Sequence, residues 1–229
     1  MPIHLAGILQ QQTTGGGGGA GIAYVGSDTY TSVTGTTLSL PVDPGASNDD
    51  TLFAVVHVNG NVTITPPSGW TEFWQGGSSL ADDSQAGVWY RVQDGTEGAT
   101  EDWTTAASQT MAGICFAYSG VGSVAANNGN AARTSAATGS FNTYGGTLPA
   151  VDADDFLLLV VCGRTGNTTN RSYTAAASMT ERLNTISVPA SFMFSDDGPI
   201  SSAPAVDTWD AAFFNGTRRH FRIPIVLKG

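Results

Sequence analysis

The residues of this chain with the clearest capacity for chemistry are aspartates that occur in close groups. Four such groups are present: Asp49-Asp50, Asp82-Asp83, Asp152-Asp154-Asp155 and Asp196-Asp197. Two carboxylates that face each other across a cleft can hydrolyse a glycosidic bond, and carboxylates clustered on loops can bind Ca²⁺. A third interpretation is structural, because an aspartate before a strand often caps a turn, and such a pair precedes both Leu52 and Phe156. Structural capping is the favoured interpretation, while Ca²⁺ binding and catalysis stay open as alternatives.

The other reactive side chains form no recognisable catalytic or metal-binding motif. The spacing of cysteine and histidine matches no zinc motif, and the three histidines are His4, His57 and His220. No nucleophile elbow occurs, and the glycine run at 15–19 is not followed by the Lys-Ser or Lys-Thr of a phosphate-binding loop. We therefore predict no catalytic, cofactor-binding or metal-binding residues and no enzymatic activity. Two cysteines lie in apolar runs and are expected to be buried, reduced thiols: Cys115 and Cys162.

Acidic residues outnumber basic ones in this chain. Asp and Glu total 19 against 9 for Lys and Arg, which gives a net charge of −10. This balance argues against nucleic acid as a partner, because most of the affinity for a phosphate backbone comes from Lys and Arg. Arg218, Arg219 and Arg222 form a basic cluster that either docks onto an acidic neighbour or is solvated around a terminal strand. The apolar stretch at the N-terminus is too short for a membrane span, so no membrane partner is expected.

The segments that must position these residues repeat once along the chain. The run that begins at Asp49 returns about 105 residues later at Asp154, and Trp103 is matched by Trp209 at a similar distance. Charged residues make up only 12% of the chain and Gly numbers 29, a composition typical of many short strands and tight turns. We predict an all-β protein: an antiparallel, jelly-roll-like β-sandwich built from two pseudo-repeated halves, with an extended glycine-rich N-terminal arm.

The predicted organisation has four segments. They are the arm at 1–21, a first β half at 22–122, a crossover or linker at 123–144 and a second β half at 145–229. Strands are predicted at 37–41, 52–58, 71–74, 87–92, 99–104 and 111–118, and then at 156–162, 180–186, 191–194, 208–213 and 221–227. Because both alternating faces of 52–58 are apolar, this strand is expected in the centre of a sheet. Whether the halves form one sandwich or two small ones stays open.

The arm has a composition that indicates a role in assembly. Its apolar residues Ile3, Leu5, Ile8 and Leu9 precede three glutamines and then five consecutive glycines. Glycine loses more backbone entropy on ordering than any other residue, so such an arm does not order without a partner. We predict that the apolar arm residues insert into a neighbouring protein.

Several short motifs resemble a known module by their order along the chain. The motifs are, in order, Thr-Pro-Pro-Ser-Gly-Trp-Thr at 65–71, Val-Trp-Tyr-Arg-Val at 88–92, Asp-Trp-Thr at 102–104 and Ala-Tyr-Ser-Gly-Val at 117–121. This order is similar to a β-sandwich module common in virion proteins of tailed bacteriophages, of the tail-fibre, minor tail or decoration type. The second half is similar to the closing portion of that module, so the resemblance covers about 31–229. It implies a class of role and carries over no catalytic residue.

The resemblance, the arm and the acidic charge together lead to one expected function. The chain is expected to be a non-enzymatic structural protein on the surface of a virion, with capsid decoration or cement preferred, attached through its arm. Expected partners are major capsid or tail proteins and further copies of the chain, with a trimer favoured. The alternative is a tail-fibre or adhesin component that binds host-surface carbohydrate through exposed tryptophan. Trp70, Trp89 and Trp103 count against that alternative, because they lie in patterned strands or beside turns and are expected in the core.

Overall fold

The computed structural model describes residues 21–78, 84–125, 132–134, 152, 154–164, 172–174, 179–185, 187, 190–200, 210–212 and 220–229. Within these residues the regular elements are β-strands, and none of them is a helix. The prediction of an all-β protein is therefore confirmed for this part of the chain. The physical basis is the one seen in the sequence: short runs of β-branched and aromatic residues separated by glycine, proline and aspartate.

The described strands form two large antiparallel sheets and one small one. The first sheet contains β1 Ala23–Ser27, β2 Thr31–Pro41, β3 Thr51–Asn59, β4 Ile64–Thr65, β5 Thr71–Ser78, β6 Ser84–Val92 and β7 Thr100–Ser119. The second sheet contains β8 Ser123–Val124, β9 Ala132–Thr134, β10 Asp155–Arg164, β12 Thr180–Thr185, β13 Ala190–Ile200 and β15 His220–Lys228. The small sheet pairs β11 Ser172–Thr174 with β14 Asp210–Ala212. The chain thus completes the first sheet before it enters the second.

Each large sheet has a central strand that the sequence pattern indicates. The first sheet has the order β1-β7-β3-β6-β5, and β2 and β4 also pair with β7. The second has the order β8-β15-β10-β13-β12, and β9 also pairs with β15. The interior position of β3, between β6 and β7, confirms the prediction made from its two apolar faces.

The two large sheets pack face to face around one apolar core. Phe53 of β3 and Phe116 of β7 lie in the same cluster as Val160 of β10, Phe194 of β13 and Ile223 of β15. The ring centroids of Phe116 and Phe194 are only 4.1 Å apart, which places them in direct contact across the interface. Because each half contributes one sheet to this shared core, the halves pack on each other and do not enclose two separate cores.

A second apolar cluster covers the opposite face of the first sheet. Leu52 and Val56 alternate with the inward residues of β3 and join Leu40 of β2 and Trp103 of β7 in this cluster. Close packing of β2 here depends on Gly113 of β7, because a Cβ atom at that position would lie 2.9 Å from Cδ1 of Leu40. The central strands of the first sheet are therefore buried on both faces.

Two sequence expectations differ from the structure. The strands predicted at 99–104 and 111–118 are one strand, β7, because the intervening Thr- and Ala-containing residues stay extended. Strand β2 pairs with residues 100–104 and 109–113 of β7, and β3 pairs with 110–118. The two predicted strands are therefore joined because β2 pairs with β7 on both sides of residues 105–108. The predicted linker at 123–144 also contains β8 and β9, which both pair with β15. That part of the predicted linker belongs to the second sheet.

We expect Phe116→Ala to destabilise both sheets together, since it removes the ring that contacts Phe194 across the core. Large-to-small substitutions of this kind cost about 3–5 kcal/mol of unfolding free energy. Urea unfolding followed by tryptophan fluorescence and by circular dichroism should show one shifted transition with both signals. Val92→Ala is the control, because Val92 is 53% exposed and its truncation should change stability by no more than about 0.5 kcal/mol. Two separate transitions would contradict a shared core.

Candidate functional site

An open cavity of about 670 Å³ lies at one end of the sandwich. Its lining residues lie just before β1 and β3, around the start of β10, and just after β7 and β15. Its apolar lining includes Ile22 before β1 and Phe156 at the start of β10. Its carboxylates come from Asp49 and Asp50 before β3 and from Asp154 before β10. Gly21, the first residue that the structure describes, also lines it.

Two of the aspartates in these groups cap turns. The Asp50 carboxylate accepts a hydrogen bond of 2.8 Å from the Ser47 backbone N–H, and the Asp50 N–H donates to the Ser47 carbonyl. Asp155 makes the same pair of bonds with Asp152, and its carboxylate also accepts from Nζ of Lys228 at 2.5 Å. The capping interpretation is confirmed for Asp50 and Asp155.

The electrostatic state of Asp155 follows from these bonds. Burial favours its neutral form, but the hydrogen bonds from Lys228 and from the Asp152 backbone outweigh that effect and hold the pKa of Asp155 below its usual range. Among the described residues, no group of three His, Cys, Asp or Glu side chains is placed to hold a metal ion. Asp82 and Asp83 lie outside the described residues.

The fourth aspartate group contributes a polar contact between the sheets. Asp196 of β13 is only 2% exposed, and its Oδ2 accepts hydrogen bonds from Oη of Tyr118 at 2.6 Å and from Nε of Arg182 at 2.8 Å. Tyr118 lies in β7, so this bond joins the first sheet to the second. Burial and the adjacent Asp196 carboxylate raise the pKa of Tyr118, so its hydroxyl keeps the proton that it donates. The guanidinium of Arg182 also lies 5.4 Å from the ring centroid of Tyr24.

Sequence reasoning did not find this cluster. The sequence places Asp196 with Asp197 among the aspartate groups interpreted as turn caps, and Tyr118 at the end of the strand predicted at 111–118. The signals available were a tyrosine inside an apolar run and an arginine in a neighbouring polar strand. Neither signal indicates which strands face each other across the core.

We expect Tyr118→Phe to lower the unfolding free energy by about 1–3 kcal/mol, because it removes one donor from a buried carboxylate. Urea unfolding at neutral pH measures the change. Tyr90→Phe, which removes the same atom from a half-buried ring of β6, is the matched control. Equal losses in the two variants would show that the Tyr118–Asp196 bond adds nothing to the contact between the sheets.

The side chains of His57, Cys115 and Cys162 are buried in the core. His57 of β3 is fully buried, with its ring 6.1 Å from that of Phe221, and neither ring nitrogen has a hydrogen-bond partner among the described residues. Burial, with a smaller contribution from the positive charge of Arg164, lowers the pKa of His57 from 6.5 to about 3. Cys115 and Cys162 are buried and free, as expected, and burial raises the pKa of both thiols. These thiols are therefore protonated and inaccessible, which does not suit a nucleophile.

His57 should make the protein less stable in mild acid. Its folded pKa is below its unfolded value, so the unfolded chain binds the extra proton and stability falls as the pH drops from 6.5 toward 3. At pH 5 the loss from this group amounts to about 2 kcal/mol. Urea unfolding of the native protein and of His57→Leu at pH 7 and pH 5 measures it. The variant should lose less stability between the two pH values, and an identical loss in both proteins would refute this assignment.

The remaining predicted site residues have different outcomes. Arg222 is 1% exposed within β15, an interior strand, and so it does not occupy the exposed position that a docking residue needs. Its place between Phe221 and Ile223 in the sequence is the signal for burial that was missed. Arg218, Arg219 and the whole of 1–20, including the apolar arm residues Ile3, Leu5, Ile8 and Leu9, lie outside the described residues.

Three of the four tryptophans that the structure describes are core residues, and none of the four is exposed. Trp70, Trp89 and Trp103 are buried, which confirms their predicted core position. The indole N–H of Trp70 donates to the carboxylate of Glu101. Trp74 is half-buried, and its ring centroid lies 5.6 Å from that of Phe221.

Comparison with known proteins adds no assignment. No protein-family model, curated protein or solved structure matches the chain. Among the described residues, no helix has the length and apolar character needed to cross a membrane.

Proposed function

We propose that this chain is a non-enzymatic structural protein on the surface of a bacteriophage virion, in a capsid decoration or cement role. It attaches through the N-terminal arm at 1–21 to a major capsid or tail protein, and it assembles with further copies of itself, a trimer being favoured. The order of motifs that resembles the phage β-sandwich module supports this class of role. The net charge of −10 supports an exposed position away from the packaged nucleic acid.

One observation carries the proposal: the described aspartate, histidine and cysteine side chains considered as candidate site residues form bonds within the fold or are buried in its core. Asp50 and Asp155 cap turns, and Asp196 bonds to the opposite sheet. His57 and the two cysteines are enclosed in the core. These groups are bonded within the fold or enclosed by it, and a body of this kind suits a role that depends on contact with other proteins. No described tryptophan is exposed, so the carbohydrate-binding alternative has no observation in its favour.

The place where the arm joins the body supports attachment through the arm. Gly21, the last residue of the arm, and the adjacent Ile22 line the open end cavity of the sandwich. The arm carries apolar Ile3, Leu5 and Ile8 and then the glycine run, and the first acidic residue of the chain is Asp28. The arm can therefore approach a neighbour without the charge repulsion that the acidic body experiences.

The finer fold proposal is that the two sheets are a structural pseudo-repeat. The order β1-β7-β3-β6-β5 of the first sheet corresponds to the order β8-β15-β10-β13-β12 of the second. In each sheet a short strand from early in that half lies beside a strand from late in that half, and the central strand comes next. The turn formed by Ser47 and Asp50 recurs with Asp152 and Asp155. The pairing of β4 with β7 recurs as β11 with β14. The jelly-roll comparison stays a prediction, and the segregation of the strands by sheet along the chain gives it no support.

We expect replacement of Ile3, Leu5, Ile8 and Leu9 by serine in the full chain to abolish attachment to particles while the body stays folded. The reason is that the buried apolar area of the arm supplies the attachment free energy, at about 25 cal/mol per Å². The measurement is the amount of the protein in purified particles, by quantitative mass spectrometry, beside the thermal unfolding midpoint of the free protein.

The matched control replaces Gln10, Gln11 and Gln12 by serine in the same arm. This variant should attach normally, because it removes polar residues and leaves the apolar ones. Normal incorporation of the apolar-arm variant would overturn the role of the arm. Absence of the native protein from purified particles would overturn the virion assignment itself.

A further inference from the structure

Strand β2 has an open edge in the first sheet. It pairs with β7 on one side, and no described strand pairs with its other side. Side chains from Ser32 to Thr34 are exposed, and Val33 is exposed by 36%. Val33 and Val92 are the two exposed large hydrophobic residues of the described part. An open edge of this kind presents unpaired N–H and C=O groups that can pair with another strand.

The charge pattern shows which partner fits this edge. Residues 29–42 contain no Asp, Glu, Lys or Arg, although the chain as a whole has a net charge of −10. The edge strand β5 carries Glu72, and the edge strand β12 carries Glu181 and Arg182. The edge strand β1 is also uncharged, but its side chains from Tyr24 to Ser27 are half-buried. Strand β2 is therefore the uncharged edge with exposed side chains, where two copies of this acidic protein meet little charge repulsion. It also lacks the lysine that natural edge strands use to block pairing.

The regular part of the edge is short and has a definite centre. Residues 31–35 pair with 113–109 of β7 without interruption, and the register then shifts between Gly35 and Thr37. Such an irregularity bends a strand away from a partner, so an added strand can follow only residues 31–35. Val33 lies in the middle of this segment. In an antiparallel pair of two identical segments, Val33 faces the Val33 of the second copy, because the contact is isologous.

We propose that residues 31–35 of β2 form an interface between two copies of this chain, in which the two β2 strands pair antiparallel about a two-fold axis at Val33. The contact joins the first sheets of the two copies edge to edge. One five-residue strand pair buries less surface than a stable dimer needs, so the contact is weak between free molecules. Because a three-fold ring uses heterologous contacts, this two-fold contact lies between trimers and not within one. It becomes effective where copies are held close together, as on the particle of the proposed function.

Engineered cysteines test this register in the full chain. Both native cysteines are buried, so the cysteine introduced by Val33→Cys is the accessible thiol among the described residues of that variant. Opposed residues of an antiparallel pair have Cβ atoms about 5 Å apart, within reach of a disulfide after small adjustments. We expect Val33→Cys to form a disulfide-linked dimer under mild oxidation at least about tenfold faster than the control Val92→Cys, at equal protein concentration.

A second control lies on the same strand. Thr31→Cys places its thiol opposite residue 35 of the second copy, about 13 Å from its own counterpart, so it should not cross-link. Equal rates for Thr31→Cys, Val33→Cys and Val92→Cys would indicate random collision and would overturn the proposal. Adding the four serine substitutions of the arm should leave the Val33→Cys rate unchanged. Loss of cross-linking in that variant would assign the contact to the arm and refute the β2 interface, whereas failure of attachment alone concerns only the proposed function.

Discussion

The apolar layer between the two large sheets is the interaction on which the rest of the structure depends. Each sheet contributes one face of aromatic and aliphatic side chains, and the contact of Phe116 with Phe194 lies within it. Removal of this much apolar surface from water is the main favourable term in folding. Because one face comes from each half of the chain, neither sheet has a covered inner face without the other.

The first sheet is also covered by apolar side chains on the face that points away from the second sheet. The length of β7 makes this possible, because it pairs with β2 along residues 100–104 and 109–113 and with β3 along 110–118. Leu40 and Trp103 then cover the face of β3 that points away from the second sheet. Burial on both faces explains why the residues of β3 are apolar at nearly every position and why its one histidine, His57, is enclosed.

Polar groups within this body serve its own cohesion. A buried charge is costly unless it is paired, and Asp196 is paired with donors from both sheets. The turn aspartates satisfy backbone N–H groups at the strand starts, where the chain would otherwise leave them exposed or unpaired. Outside these contacts lie the strand edges and the end cavity that Gly21 lines. Both the proposed attachment and the proposed pairing of β2 use these surfaces.

The sequence by itself determined the all-β class, the central position of β3, the burial of both cysteines and the turn role of Asp50 and Asp155. These properties depend on local alternation and on turn residues, which neighbouring positions reveal. Only the tertiary structure decided that Tyr118 meets Asp196, 78 residues away, and that Arg222 is buried in an interior strand. The physical reason is that a strand pattern shows which face is apolar but does not identify the strand or sheet that covers that face.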